Sequence, residues 1–193
     1  MEFDLTKFTP DIRKLSDIKN VVADKEWFTT AKDCDLYYMY RKLDKKDGLR
    51  YDITIIPPKM LGSEFVKTKG HNHAGFYGEV YMVLEGEGFY LFQKGDENKI
   101  DDVCVVHAKK GQNIIIPAGY GHVTINPSNK ELKMANWVKE EDKGNFSLFE
   151  KNQGACYYYT VNGWQKNPNY KDVPELRFEN PVDSLPKNLD FLK

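Results

Sequence analysis

The chain has 193 residues, 30% charged and 40% hydrophobic, which suits one folded domain and excludes a disordered segment. Twenty-eight Lys and Arg against 29 Asp and Glu leave a net charge of -1, so no global positive field gathers nucleic acid or acidic lipid. No apolar run approaches the ~20 residues of a membrane span. The acidic start Met1-Glu2-Phe3-Asp4 carries no apolar signal core, and the three cysteines lack Cys-x-x-Cys spacing. Together these predict a reduced, cytoplasmic setting without a disulfide scaffold.

Residues 1–34 read as an N-terminal helical arm. Ile12, Leu15, Ile18 and Val21 recur at three-residue spacing among charged residues, as on a short amphipathic helix. Ser16-Asp17 could instead cap a short helix from Ile18 to Val22. From about Asp35 the period becomes two: Leu36, Tyr38 and Tyr40 alternate with Tyr37, Met39 and Arg41, and Lys45-Lys46-Asp47-Gly48 reads as a hairpin turn. Further strand-like runs are 51–56, 79–84, 89–93, 103–107, 113–116, 132–138 and 155–161. Turn-rich stretches such as Gly86-Glu87-Gly88 and Asn126-Pro127-Ser128-Asn129 separate them. Many short strands at regular spacing predict an all-β sandwich or barrel over residues 35–166. Residues 167–193, rich in Pro and Asn, read as a C-terminal tail that crosses the surface or a partner.

Only four histidines occur, and three of them stand beside glycines and turn residues. His71 and His73 are two apart, so on an extended strand their imidazoles share a face. Glu79 opens the next strand, and His122 follows the turn-rich Pro117-Ala118-Gly119-Tyr120-Gly121. Three neutral nitrogens and one carboxylate form a suitable ligand set for a divalent transition metal. His107 has no such company and reads as structural or solvent-exposed.

These residues resemble a family pattern. Gly70-His71-Asn72-His73, Glu79 and Gly86 look like the first cupin motif, and Gly111, Pro117, Gly119, His122 and Asn126 look like the second. The resemblance implies a double-stranded β-helix, a small jelly-roll barrel, with a metal held by His71, His73, Glu79 and His122. Thr54, Gly62-Ser63-Glu64-Phe65, Thr68 to Ala74 and Glu79-Val80-Tyr81, with the lead-in Ile12 to Asp17, are similar to the cupin-type glucose-6-phosphate isomerases of archaea and some bacteria.

That likeness implies a metal-dependent aldose–ketose isomerase of glycolysis or gluconeogenesis, acting on a hexose 6-phosphate through an enediolate or a hydride shift. Iron is the first expectation for the metal, with Mn, Ni, Co or Zn as alternatives. Thr54, Thr68 and the backbone of Gly70 would hold the phosphate, and Lys69 either adds charge or lies on the surface. Glu79 would be a ligand and a base; Tyr81, on its face by strand parity, either orients a sugar hydroxyl or packs in the core. The likeness also implies a homodimer whose ligand is a small sugar phosphate rather than nucleic acid or membrane. It puts Asn145 where those enzymes carry a histidine. A non-catalytic sugar-phosphate-binding cupin, or another cupin enzyme such as an oxygenase or epimerase, stands as the alternative.

Overall fold

The period-two segments form strands in the computed structural model, which describes residues 3–193. The first seven are β1 (Asp11–Lys14), β2 (Asp35–Lys46), β3 (Leu49–Ile56), β4 (Met60–Leu61), β5 (Glu64–Phe65), β6 (Glu79–Glu85) and β7 (Glu87–Gly95). After them come β8 (Ile100–Lys109), β9 (Asn113–Ile116), β10 (Gly121–Ile125), β11 (Leu132–Lys139), β12 (Tyr157–Thr160), β13 (Gly163–Lys166) and β14 (Arg177–Glu179). Two short α-helices, α1 (Lys25–Thr30) and α2 (Ser147–Lys151), flank them. Met1 and Glu2, where the expected arm and the acidic start begin, lie outside the described residues.

One sheet has six strands in the order β1-β2-β3-β11-β6-β9. A four-stranded sheet runs β10-β7-β8-β14, and another runs β13-β12-β5-β4. From β6 onward the chain passes back and forth between the first two sheets, which is the double-stranded β-helix of the cupin barrel. The passage from β6 to β7 takes a single residue, Gly86, at φ +76°. A Cβ at this corner would stand 2.3 Å from the Glu131 carbonyl oxygen.

Alternation sorts each strand of the six-stranded sheet. Glu79, Tyr81 and Val83 of β6, with Asp52 and Thr54 of β3, face the barrel interior or its cavity. Tyr51, Ile53, Val80, Ala135 and Trp137 face the other way, into a second apolar cluster that Leu192, Phe3 and Leu5 help to cover. The main cluster fills the barrel with Val83, Ile114 and Met134 of one sheet and Leu91, Val105 and Val123 of the other. The β2–β3 hairpin closes on Asp47-Gly48 with Lys46 facing Leu49, as the turn signal predicts.

The N-terminal segment differs from the single amphipathic helix that its spacing suggests. Asp11–Lys14 form a strand against the free edge of β2, Leu15–Ile18 form a 3-10 turn, and α1 starts only at Lys25 behind its Asp24 cap. A strict three-residue repeat is the period of a 3-10 helix, not of an α-helix. It accordingly buries Leu15, Ile18 and Val21 but leaves Ile12, one turn earlier, on the exposed strand. Ser16-Asp17 do not cap a helix from Ile18: Asp17 accepts from Lys14 N–H at 2.8 Å, and Ser16 donates to Asp33.

The tail crosses the barrel surface. β14 pairs parallel to β8, Asn113 and Val182 exchange backbone hydrogen bonds, and Gly78 N–H donates to the Phe191 carbonyl at 2.9 Å. Arg177 clamps Asp102 with two hydrogen bonds of 2.7 Å. Those bonds, opposed by partial burial and aided by Tyr120, hold the Asp102 carboxyl down to about 2 from its ordinary 3.8.

Two outcomes are expected. Gly86→Ala should destabilise the barrel by at least ~2 kcal/mol in urea unfolding, since the left-handed conformation alone costs roughly 1–2 kcal/mol and the Glu131 carbonyl must also move. For Asp102, the depressed folded-state value makes its contribution full above 3.8 and lost as the pH falls through 3.8 toward 2. The gap in unfolding midpoint between the parent and Asp102→Ala should therefore hold from neutral pH down to the carboxylate range and close below it.

Candidate active site

His71 sits in the extended segment between β5 and β6. Its N–H donates to the His122 carbonyl at 3.1 Å, and His122 N–H donates back to the His71 carbonyl at 2.9 Å. This bridge docks the segment on the entrance of β10 and brings the two rings to 4.5 Å between centroids. His73 follows, with its ring 5.5 Å from both. Glu79, the first residue of β6, points in from the adjoining sheet. Its Oε2 lies 3.1 Å from His122 Nε2 and 3.5 Å from His73 Nε2, and its Oε1 accepts from Asn136 Nδ2 at 2.7 Å. The structure thus brings His71, His73, Glu79 and His122 together from three separate stretches of chain.

Burial shapes the charge of the cluster. Burial first, and then the neighbouring His122, push His71 down to about 3, so its imidazole is neutral at physiological pH. Burial opposes the charges of His73 and Asp142, but each overcomes that for the other: His73 Nδ1 lies 3.4 Å from Asp142 Oδ2 and is raised, while Asp142 is held well below its usual range. Tyr77 also donates to Asp142, at 2.6 Å. Burial works against the Glu79 carboxylate too, and the His122 contact outweighs it to hold Glu79 below its ordinary value.

The donor set fits a divalent metal ion. His73 Nε2 and Glu79 Oε2 are buried with no hydrogen-bond partner, a cost that a cation would remove. Ligand atoms of His71, Glu79 and His122 lie within 4.8 Å of one another, and so do those of His71, His73 and Asp142. Neutral imidazoles and a carboxylate suit first-row transition metals.

The cluster opens into a cavity of about 340 Å³ whose walls include Thr54, Thr68, Gly70 and Tyr81. Tyr81 hydroxyl lies 2.9 Å from His122 Nε2, and burial keeps its phenol neutral. Thr68 Oγ1 accepts from Thr124 N–H at 3.0 Å. Gly70, at φ +78°, admits the Phe149 ring where a Cβ would stand 2.6 Å away. Lys69 is paired with Glu150 at 2.6 Å. His107 stands apart and half exposed, bonded to Glu87 at 3.0 Å. Asn145 pairs its backbone with Asn72 and its side chain accepts from Ser147, so Gly144 and Phe146 line the cavity on either side of it instead.

Sequence reading passes over Asn136, Asp142 and Tyr77. Asn136 carried a signal: it is a polar residue within the apolar run Met134 to Val138, at an inward position. Asp142 carried none, being one of a run of charged residues from Lys139 to Lys143. Nothing in the spacing of Arg13, Tyr37, Arg41, Arg50 and Asp52 shows that they meet around the same cavity.

Comparison with known proteins follows the same line. The family model described as Glucose-6-phosphate isomerase (GPI) matches residues 12–175. A glucose-6-phosphate isomerase of Thermococcus litoralis is 30% identical over 125 residues, 62% of this chain and 64% of the relative. One from Thermococcus onnurineus is 31% identical over 124 residues, with the same coverage of both. The chain therefore spans about 64% of the length of the curated relatives it matches. Among solved structures, a predicted oxalate decarboxylase of Thermotoga maritima superposes with a TM-score of 0.46 at 19% identity, covering 71% of this chain and 96% of that one. On the extent of the family match, the chain belongs to the glucose-6-phosphate isomerase family.

Proposed function

We propose that this chain is a metal-dependent aldose–ketose isomerase that interconverts glucose 6-phosphate and fructose 6-phosphate. The observation that carries this reading is the group His71, Glu79 and His122, with His73 packed against Glu79, at one wall of a cavity that also presents Thr54, Thr68 and Gly70, in a chain of this family. Those four residues would hold the ion, iron first and Mn, Ni, Co or Zn otherwise, and the ion when bound supplies Lewis-acid polarisation of a sugar carbonyl.

The protein's own groups divide the remaining work. Thr54 and Thr68 hydroxyls and the Gly70 backbone suit the phosphate oxygens, since none of them needs a large basic patch. Asn136 fixes Glu79 Oε1 at 2.7 Å, while Oε2 faces His122 Nε2 at 3.1 Å and His73 Nε2 at 3.5 Å. The Glu79 carboxylate is the group that would take a proton from one carbon of the open-chain sugar and return it to its neighbour. Tyr81 keeps its proton and would orient a hydroxyl beside His122. A hydride shift needs no such base, and solvent isotope separates the two. Conversion of fructose 6-phosphate in D₂O should place deuterium at C2 of the glucose 6-phosphate if Glu79 relays the proton, and none if hydride passes directly.

Asn145 favours a second reading, a sugar-phosphate-binding cupin without turnover, because its side chain is engaged with Ser147 rather than with the cavity. A coupled assay with fructose 6-phosphate decides: the isomerase reading expects turnover that a chelator abolishes and added divalent metal restores. Binding of the sugar phosphate with no turnover by metal-replete protein would sink it. We also place the protein in the cytoplasm and as a homodimer, which light scattering at twice the chain mass would support; no helix among the described residues is long and apolar enough to cross a membrane.

Metal analysis of purified variants tests the ligands. His71→Ala and His122→Ala should lose bound metal, and His107→Ala should retain it. Equal metal content in all three would refute the assignment.

A further inference from the structure

We infer that Arg13, delivered to the cavity by edge strand β1, supplies the fixed positive charge that pairs with the substrate's phosphate. This rests on reading the cavity as a sugar-phosphate site, and it adds a specificity-determining residue that hydroxyls and backbone leave wanting.

The chain has four arginines, and three of them are already neutralised. Arg41 meets Asp11 at 3.1 Å and Asp52 at 3.5 Å. Arg50 meets Asp52 at 2.9 Å and donates to the Glu140 and Asp142 carbonyls. Arg177 is clamped on Asp102 at 2.7 Å. Arg13 is the exception: its side chain lines the cavity, no ion pair to it is formed among the described residues, and its Nε is buried with no hydrogen-bond partner. A buried guanidinium N–H without an acceptor costs free energy, so an acceptor supplied from outside the protein is the compensating partner.

Its position suits that partner. Arg13 faces Tyr37 across the β1–β2 register, and Tyr37 hydroxyl accepts from Lys69 N–H at 3.1 Å. Arg13 is thus tied through Tyr37 to the Thr68-Lys69-Gly70 segment, where the proposed phosphate contacts lie. The neighbouring Lys69 ammonium is committed to Glu150. Lys42 and Lys143 also reach the cavity, but both residues are exposed and already hydrated. The planar guanidinium presents parallel N–H donors that match two phosphate oxygens at once, a geometry lysine does not reproduce. One local charge of this kind reconciles recognition of a dianion with a chain of net charge -1.

The test is calorimetric titration of the full chain with inorganic phosphate, paired with steady-state kinetics on fructose 6-phosphate. Arg13→Gln should weaken phosphate binding by about tenfold or more, the loss expected for a charge-assisted hydrogen-bonded pair. KM for fructose 6-phosphate should rise in proportion while kcat changes by less than about twofold, the mark of lost uniform binding. Arg13→Lys, which keeps charge on the same strand, should fold and still lose several-fold in affinity; it carries the test alone if Arg13→Gln does not fold. Arg177→Gln, on the outer surface, should bind phosphate as the parent does. The proposal is overturned if folded Arg13 variants bind phosphate like the parent, or if the parent does not bind it. Phosphate binding lost with Arg13 in a protein that turns over no sugar phosphate would end the isomerase reading and leave the anion site standing. Turnover unaffected by Arg13→Gln would do the reverse.

Discussion

A carboxylate at 3% exposure is what the rest of this site must accommodate. An uncompensated charge as deep as that of Glu79 costs several kcal/mol, and removing one partner of such a group leaves that cost unpaid. Here the compensation comes from different strands: Asn136 from β11, His122 from β10, and His73 from the segment before β6. Register is therefore tightly constrained. β6 lies between β11 and β9, and a slip of one residue would turn Glu79 out toward the Tyr51 and Trp137 cluster and bring Val80 inward.

The same logic extends one layer outward. Asp142 is buried against His73 and Tyr77, and Asp52 is buried between Arg50 and Arg41. Arg50 also holds the carbonyls of Glu140 and Asp142, so the loop after β11 is tethered to β3 rather than free. That tether positions Asp142 beneath His73 and presents Gly144 and Phe146 along the cavity wall. Polar networks of this kind stabilise one arrangement only when nearly every member is satisfied. Of the residues with atoms left without partners, Glu79, His122 and Arg13 line the cavity, and His73 lies beside them with its Nε2 3.5 Å from Glu79 Oε2.

The chain termini complete the barrel. β1 covers one edge of the six-stranded sheet and β14 covers β8, so both protect strands that would otherwise expose unpaired backbone. Phe3, Leu5 and the residues around Leu192 cover the outer apolar face. The N-terminal strand has a second consequence, because it brings Arg13 to a cavity built otherwise from Tyr37 and residues after it.

Much of this was legible in the residues themselves. Alternation set the strands, since a period of two admits one buried face, and glycine beside histidine marked the segments that approach the histidine cluster. That His71, His73, Glu79 and His122 come together was legible because few residue types suit a metal and only four histidines exist to be placed. The N-terminal lead-in carries short helical turns rather than one amphipathic helix, because a three-residue repeat does not announce whether it will be a 3-10 turn or the end of an edge strand. Which carboxylate orients His73, which amide holds Glu79 and which arginine is left without a carboxylate depended on strand order and barrel closure. Those are contacts between residues distant in sequence, created only when the sheet curls and brings β1, β3, β11 and β6 around one cavity, so the sequence alone determined the donors and tertiary structure decided their partners.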